Sequence, residues 1–158
     1  MRNIIASTAV LAAVALSSAA WAQTATVDHL TPAELLQKAE PLEQQASQAG
    51  SASVKLNEYP NHFTMIALRK KSGGAEIHQD YADFFYVLRG KATLVTGGTV
   101  VDQKTVSPGE IKGSSVRDGT ATALQKGDIV HIPATVPHQL LLPARGEFVY
   151  FVIKVKEQ

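Results

Sequence analysis

The chain has 158 residues, of which 45% are hydrophobic and 18% charged, with a formal charge of +1. That is enough for one domain with its own core, too short for two ordinary ones, and too apolar for a disordered chain. It contains no cysteine, which excludes disulfides, thiolate metal sites and a Cys nucleophile.

Met1-Arg2-Asn3 is a short positive start, and Ile4 to Leu16 is an apolar run of 13 residues. The run falls short of the roughly 20 residues a membrane-spanning helix needs. Ala20-Trp21-Ala22 then offers small residues at the spacing a signal peptidase requires. Residues 1–22 therefore read as a secretory signal peptide cleaved after Ala22. The lack of a twin-Arg pair favours the general secretory route, and the absence of Cys at the cleavage site excludes a lipid anchor there. Loss of Arg2 with the leader leaves 14 basic and 14 acidic residues. A neutral chain gives no electrostatic case for nucleic acid or an anionic membrane surface. The expected location is periplasmic or secreted, without membrane contact after cleavage.

Residues 23–50 form a helical lead-in. Thr31-Pro32-Ala33-Glu34 has the form of a capping box with Pro at the first helical position. Leu35, Leu36, Ala39 and Leu42 make an apolar stripe. Pro41 interrupts it, so the pattern predicts one kinked helix or two short ones over 31–49, with Gly50 as the stop.

From residue 51 to 158 the pattern is one of short strands. Ser53–Leu56, His62–Arg69, Ala75–His78, Asp83–Arg89 and Lys91–Thr96 are expected first, the last two flanking Gly90. Gly97-Gly98 is a tight turn, and Thr99–Gln103 is a further short strand. Residues 104–119 read as a surface excursion with a short strand at Glu110–Lys112. Thr120–Leu124, Ile129–Ile132, Gln139–Leu142 and Glu147–Val155 complete the set. Close-spaced strands with Gly and Pro turns imply an all-β sandwich or barrel. Glu147–Val155 is apolar on both faces, so its outer face needs a cover, either the N-terminal helix or a second subunit in a homodimer.

Two stretches carry chemistry. Gly74 to Gly90 places His78, Asp80, Tyr81 and Asp83 just before the apolar run Phe84–Leu88. His78 and Asp80 are two residues apart, so on an extended chain they share a face. Gly127 to His138 contains a turn, a strand, and a rigid corner between Pro133 and Pro137 that holds His138. Two strand-mouth clusters, each with a His, suit a metal or acid/base site. His131 is expected to face outward between Val130 and Ile132, and His29 to be exposed. His62 begins a strand and is expected to cap the barrel and not line it, and Tyr81 reads as an ordinary half-buried aromatic.

These residues resemble the cupin superfamily, small double-stranded β-helix (jelly-roll) barrels, over about 51–158. The first cupin motif is Gly, five residues, His-x-His, three or four residues, Glu, six residues, Gly. His78-Gln79-Asp80 takes the His-x-His place, and Asp83 takes the Glu place, six residues before Gly90. The second motif is Gly, five residues, Pro-x-Gly, two residues, His, three residues, Asn. Gly127, Pro133 and His138 match it; Thr135 replaces the second Gly and Leu142 the Asn. The resemblance implies an all-β barrel whose interior binds a divalent metal through His78, Asp80, Asp83 and His138. Asp83, one methylene shorter than Glu, has the alternative of orienting His78 from outside the metal's shell. Two imidazoles with carboxylates suit Fe, Mn, Zn or Ni. A small-molecule ligand or substrate is the implied partner. The reaction is open among dioxygenase-like oxidation, isomerisation and lyase chemistry. The alternatives are a metal-free barrel that binds a small molecule and a dimeric structural cupin without catalysis.

Overall fold

The computed structural model describes residues 27–157, and the signal peptide assigned to 1–22 lies outside them. Helix α1 spans Pro32–Ala39, a 3-10 turn spans Glu40–Leu42, and helix α2 spans Glu43–Ala49. Thr31 and Glu34 form the expected capping box around α1. Pro41 falls within the 3-10 turn, where the change of hydrogen-bond pattern tolerates its missing N–H. Gly50 ends α2 at φ 91°, a left-handed stop that suits glycine.

Twelve strands follow: β1 Ser51–Glu58, β2 His62–Arg69, β3 Ala75–His78, β4 Tyr81–Thr96, β5 Thr99–Val101, β6 Lys104–Ser107, β7 Glu110–Gly113, β8 Ser115–Arg117, β9 Thr120–Gln125, β10 Ile129–Ile132, β11 His138–Leu141 and β12 Phe148–Lys156. The main sheet runs β1-β2-β12-β4-β11-β3-β7-β6, with β9 and β10 also paired to β4 and every pairing antiparallel. β5 and β8 form a separate pair. This is the all-β jelly-roll barrel with a short helical lead-in expected from the sequence.

One expectation is corrected. The sequence predicts two strands divided at Gly90; the structure runs one 16-residue strand through it. The first part of β4 pairs with β12 and β10, and the part after Gly90 pairs with β11 and β9. Gly90 adopts φ 87° opposite Phe148, and two residues earlier, at Leu88, the β12 register shifts between Val149 and Tyr150. The glycine bends the strand from one face of the barrel to the other instead of ending it. The 104–119 excursion is also more ordered than expected, since β6 and β8 lie in it beside β7.

Alternation along β2, β4 and β12 divides the core in two. Ala67, Phe85, Val87, Phe148, Tyr150 and Val152 fill the barrel. Ile66, Leu68, Leu88 and Val149 point outward and are covered by Leu35, Ala39, Leu42 and Ala46 of the helical segment. The helices are thus the cover for this part of the outer sheet face. Burial of Leu35 and Leu42 contributes about 1.5–3 kcal/mol each. Lys70 adds ion pairs to Glu43 at 2.6 Å and to Glu147 at 2.9 Å, linking α2 to the barrel. Among the described residues, no helix is long and apolar enough to cross a membrane.

Candidate metal centre

A cavity of about 380 Å³ opens into the barrel, lined by His78, Asp83, His138 and Glu76 together with Arg69, Lys112, Tyr150 and Lys154. Strand register delivers each of these. His138 begins β11 and lies opposite Glu76 of β3. The β3–β7 pairing sets Glu110 opposite His78 and Lys112 opposite Glu76. The β12–β4 pairing sets Lys154 opposite Asp83. The two stretches singled out in the sequence are also joined by the backbone, because the Thr135 N–H donates to the His78 carbonyl at 2.7 Å. Thr135 holds φ 67° there, a conformation that explains why cupin motifs place glycine at this point.

The base of the site is buried. Asp83 is 2% exposed, His138 4% and His78 7%. The His78 Nδ1–H donates to Glu110 Oε2 at 2.6 Å, and the His138 Nδ1–H donates to the Val136 carbonyl at 3.0 Å. Both partners are acceptors, so Nδ1 carries the proton and, in the neutral ring, Nε2 presents a lone pair. Burial lowers the His138 pKa, outweighing the Val136 carbonyl and the Asp83 charge that act in the opposite sense. Both Nε2 atoms face the same point. Asp83 Oδ2 lies 3.5 Å from His78 Nε2 and 3.8 Å from His138 Nε2, and Glu76 Oε2 lies 4.0 Å from His78 Nε2. Ligand atoms of Glu76, His78 and His138 all fall within 4.8 Å of one another.

Lone pairs and carboxylate oxygens converging at 3.5–4.0 Å are too far apart to share hydrogen bonds, and a cation between them would turn their mutual repulsion into attraction. Ligands about 2.0–2.2 Å from a divalent ion lie roughly 3–4 Å from each other, so the donor set fits such an ion. Outer partners complete the arrangement. Lys112 Nζ donates to Glu76 Oε1 at 2.9 Å and leaves Oε2 for the site. Burial opposes the Glu76 charge, but Lys112 and then Arg69 outweigh it and hold its carboxyl below the ordinary value. Lys154 Nζ sits 2.6 Å from Asp83 Oδ1. The angle makes this a charge contact and not an aligned hydrogen bond, and neither atom has a hydrogen-bond partner among the described residues. Arg69 Nε donates to the Tyr150 hydroxyl at 3.0 Å. Burial pushes the Tyr150 phenol up, so it keeps its proton.

Of the four residues proposed from the sequence, the structure brings together His78, Asp83 and His138. It does not bring in Asp80, which is exposed and lies against Gly109. The reason is local. β3 ends at His78, and Gln79-Asp80 form a bend, so the two-residue period of an extended chain stops before it reaches Asp80. Counted in the other direction, the same period selects Glu76. The motif spacing carried this signal as well. With Glu76-Ile77-His78 in the His-x-His place, four residues separate His78 from Asp83, within the three or four the motif allows; Asp80 leaves only two. Glu110, not Asp83, orients His78 from behind. Glu110, Lys112 and Lys154 gave no sequence signal, since each reaches the site only through strand pairing. Of the weaker candidates, His131 is exposed and stacks on Phe84 with ring centroids 4.3 Å apart. His62 stacks on Tyr59 outside the cavity.

Glu110→Ala is expected to weaken divalent-metal binding about 10–100-fold, the usual effect of removing a carboxylate that orients a ligating His. Competition titration against a chromogenic chelator reads this, and unchanged affinity would remove Glu110 from the site.

No family model matches the chain, and no curated protein matches its sequence. Solved structures do match its fold. The Cnp3 cupin domain of Schizosaccharomyces pombe superposes with a TM-score of 0.51 at 9% identity, over 68% of this chain and 65% of that one. The DMSP lyase DddQ of Ruegeria pomeroyi gives 0.51 at 15% identity, over 70% and 49%. A cupin-2 domain protein of Rhodospirillum rubrum gives 0.50 at 15% identity, over 69% and 62%. The chain spans about half to two-thirds of the length of these three structures. The fold is that of the cupins.

Proposed function

We propose that this cupin-fold chain is an exported metalloprotein that holds one divalent ion on Glu76, His78, Asp83 and His138 and binds or transforms a small molecule in the barrel. The observation that carries this is the pair of imidazole Nε2 atoms turned to one point by hydrogen bonds at their Nδ1 atoms, with two carboxylates beside them. Nitrogen and oxygen donors without sulfur suit Fe, Mn, Zn or Ni. A bound ion would supply Lewis acidity, or a centre for oxygen chemistry, to a molecule seated beside it. The protein's own groups fix both imidazole tautomers and present Tyr150, Arg69 and Lys154 to the occupant. The apolar walls Met65, Phe85, Leu140 and Val152 accommodate its hydrocarbon part. Oxidation, isomerisation and lyase reactions all suit such a barrel, since the fold alone selects none. Export rests on the pattern of residues 1–22.

Elemental analysis of protein purified without chelators is the test. One divalent ion per chain is expected, lost in His138→Ala; its absence from the wild-type protein would sink the metal reading. Lys154 favours a second reading. Its ammonium already neutralises Asp83 at 2.6 Å, so a metal-free barrel that simply captures a small molecule is also electrostatically consistent. In that case ligand-induced thermal stabilisation survives treatment with EDTA.

A further inference from the structure

Beside Gln45, Ser51 and Ser53, the polar groups of the cavity not used to hold a metal are Arg69, Lys112, Lys154 and Tyr150, all cationic or able to donate. Arg69 is half-buried on β2, with its side chain in the cavity that contains Glu76, His78 and His138. Among the described residues its only hydrogen-bond acceptor is the Tyr150 hydroxyl, reached through Nε. Among the same residues the two terminal nitrogens of the guanidinium have no acceptor. Tyr150 accepts from Arg69, and its own proton has no acceptor among the described residues. A planar fork of N–H groups and an adjacent phenolic O–H thus stand unpartnered at a cavity wall. Donors left in this state are available to a ligand that enters the cavity.

Charge leads to the same ligand class. Glu76, Asp83 and Glu110 are balanced around the site by Arg69, Lys112 and Lys154. A divalent ion adds two positive charges to a set that otherwise cancels, and an anionic occupant offsets them. We infer that the barrel takes a small carboxylate, its carboxyl group held by the Arg69 fork and the Tyr150 hydroxyl. The remainder of the molecule lies along the apolar wall toward Glu76, His78 and His138. A guanidinium fork matches the two oxygens of a carboxylate in plane, and the Phe85, Leu140 and Val152 wall suits a hydrocarbon portion that inorganic anions lack. This inference deepens the proposed small-molecule role of the same cavity, but the Arg69–Tyr150 pair exists independently of any metal.

The test uses benzoate and benzamide, probes of similar size that differ in charge, titrated calorimetrically into full-length mature protein with and without Zn²⁺. Benzoate is expected to bind about 10-fold or more tightly than benzamide in both forms, as a charge-assisted hydrogen-bonded pair implies. Arg69→Gln removes the preference while one metal per chain is retained at saturating Zn²⁺, because Lys112 still holds Glu76 ionised. Tyr150→Phe, which keeps the ring in the core, weakens benzoate several-fold and serves if Arg69→Gln fails to fold. Equal affinity for the two probes, tighter binding of inorganic phosphate than of benzoate, or a preference that survives both substitutions would each overturn the inference. A preference confined to zinc-loaded protein and insensitive to Arg69→Gln also overturns it, because the metal then holds the carboxylate. Protein that contains no metal yet still prefers benzoate through Arg69 rejects the metal reading and leaves this one standing.

Discussion

Glu76→Ala is expected to reduce divalent-metal affinity on the order of 100-fold or more, whereas Asp80→Ala leaves it unchanged. Outer-shell partners cost about 10–100-fold when removed, and loss of a group that faces the metal position costs at least that much. Glu76 Oε2 lies 4.0 Å from the Nε2 of His78, with its other oxygen tied to Lys112. Asp80 is exposed beyond the end of β3. The two acids are four residues apart and chemically alike save for one methylene, so the contrast isolates position from charge. Metal stoichiometry and chelator competition on both variants decide it. An affinity that falls in Asp80→Ala and holds in Glu76→Ala would reverse the assignment of the site. Loss of function through unfolding is distinguished by the thermal transition, which Asp80→Ala should not move and Glu76→Ala should move little.

Gly90→Ala is expected to prevent stable folding. A Cβ on residue 90 would lie 1.8 Å from the Glu147 carbonyl oxygen and 3.2 Å from the Phe148 Cα, and both contacts are backbone. The residue also holds φ 87°, a region in which a side chain costs about 1–3 kcal/mol before any clash. Relief of the clash requires β12 to move away from β4, the most extensive strand pairing in the barrel. That pairing carries Lys154 against Asp83 and aligns Phe148 and Val149, both fully buried, with the core. The combined cost exceeds about 4 kcal/mol, at the extreme of single substitutions and a large fraction of a domain's whole stability. Circular dichroism and denaturant titration check it; a cooperative transition within about 1 kcal/mol of the wild type would show that β4 does not need its bend. Gly97→Ala is the control, since no atom lies within 4 Å of its added Cβ although its φ is also positive. It should show only the conformational part of the loss.

The two substitutions bracket what can be read without a structure. Gly90 ends the first motif in the sequence, and its role as a fixed point was visible there, although it reads as a break between strands. A glycine punctuates a pattern in the same way whether the chain turns back or bends through. Which of the two occurs depends on whether the next residues pair with the same neighbours or new ones. Glu76 is equally visible as a residue, but nothing in its own stretch marks it beyond its spacing from Asp83. The face shared by His78 and its neighbours depends on where β3 ends, and that end is set by pairing with β7 and by the Gln79 N–H donated to the Gly109 carbonyl.

By itself the sequence determined the capped helical lead-in, the all-β class, the succession of most strands, and the convergence of His78 and Asp83 with His138. The first three follow from local propensity and side-chain periodicity, and the last from the resemblance of two separate stretches to the cupin motifs. Only the tertiary structure decided that Glu76 and not Asp80 joins them, that Glu110 and Lys112 stand behind them, and that Arg69, Tyr150 and Lys154 face them across the cavity. Those relations arise from cross-strand register between segments up to about eighty residues apart, where one residue of slip reverses the face of every side chain.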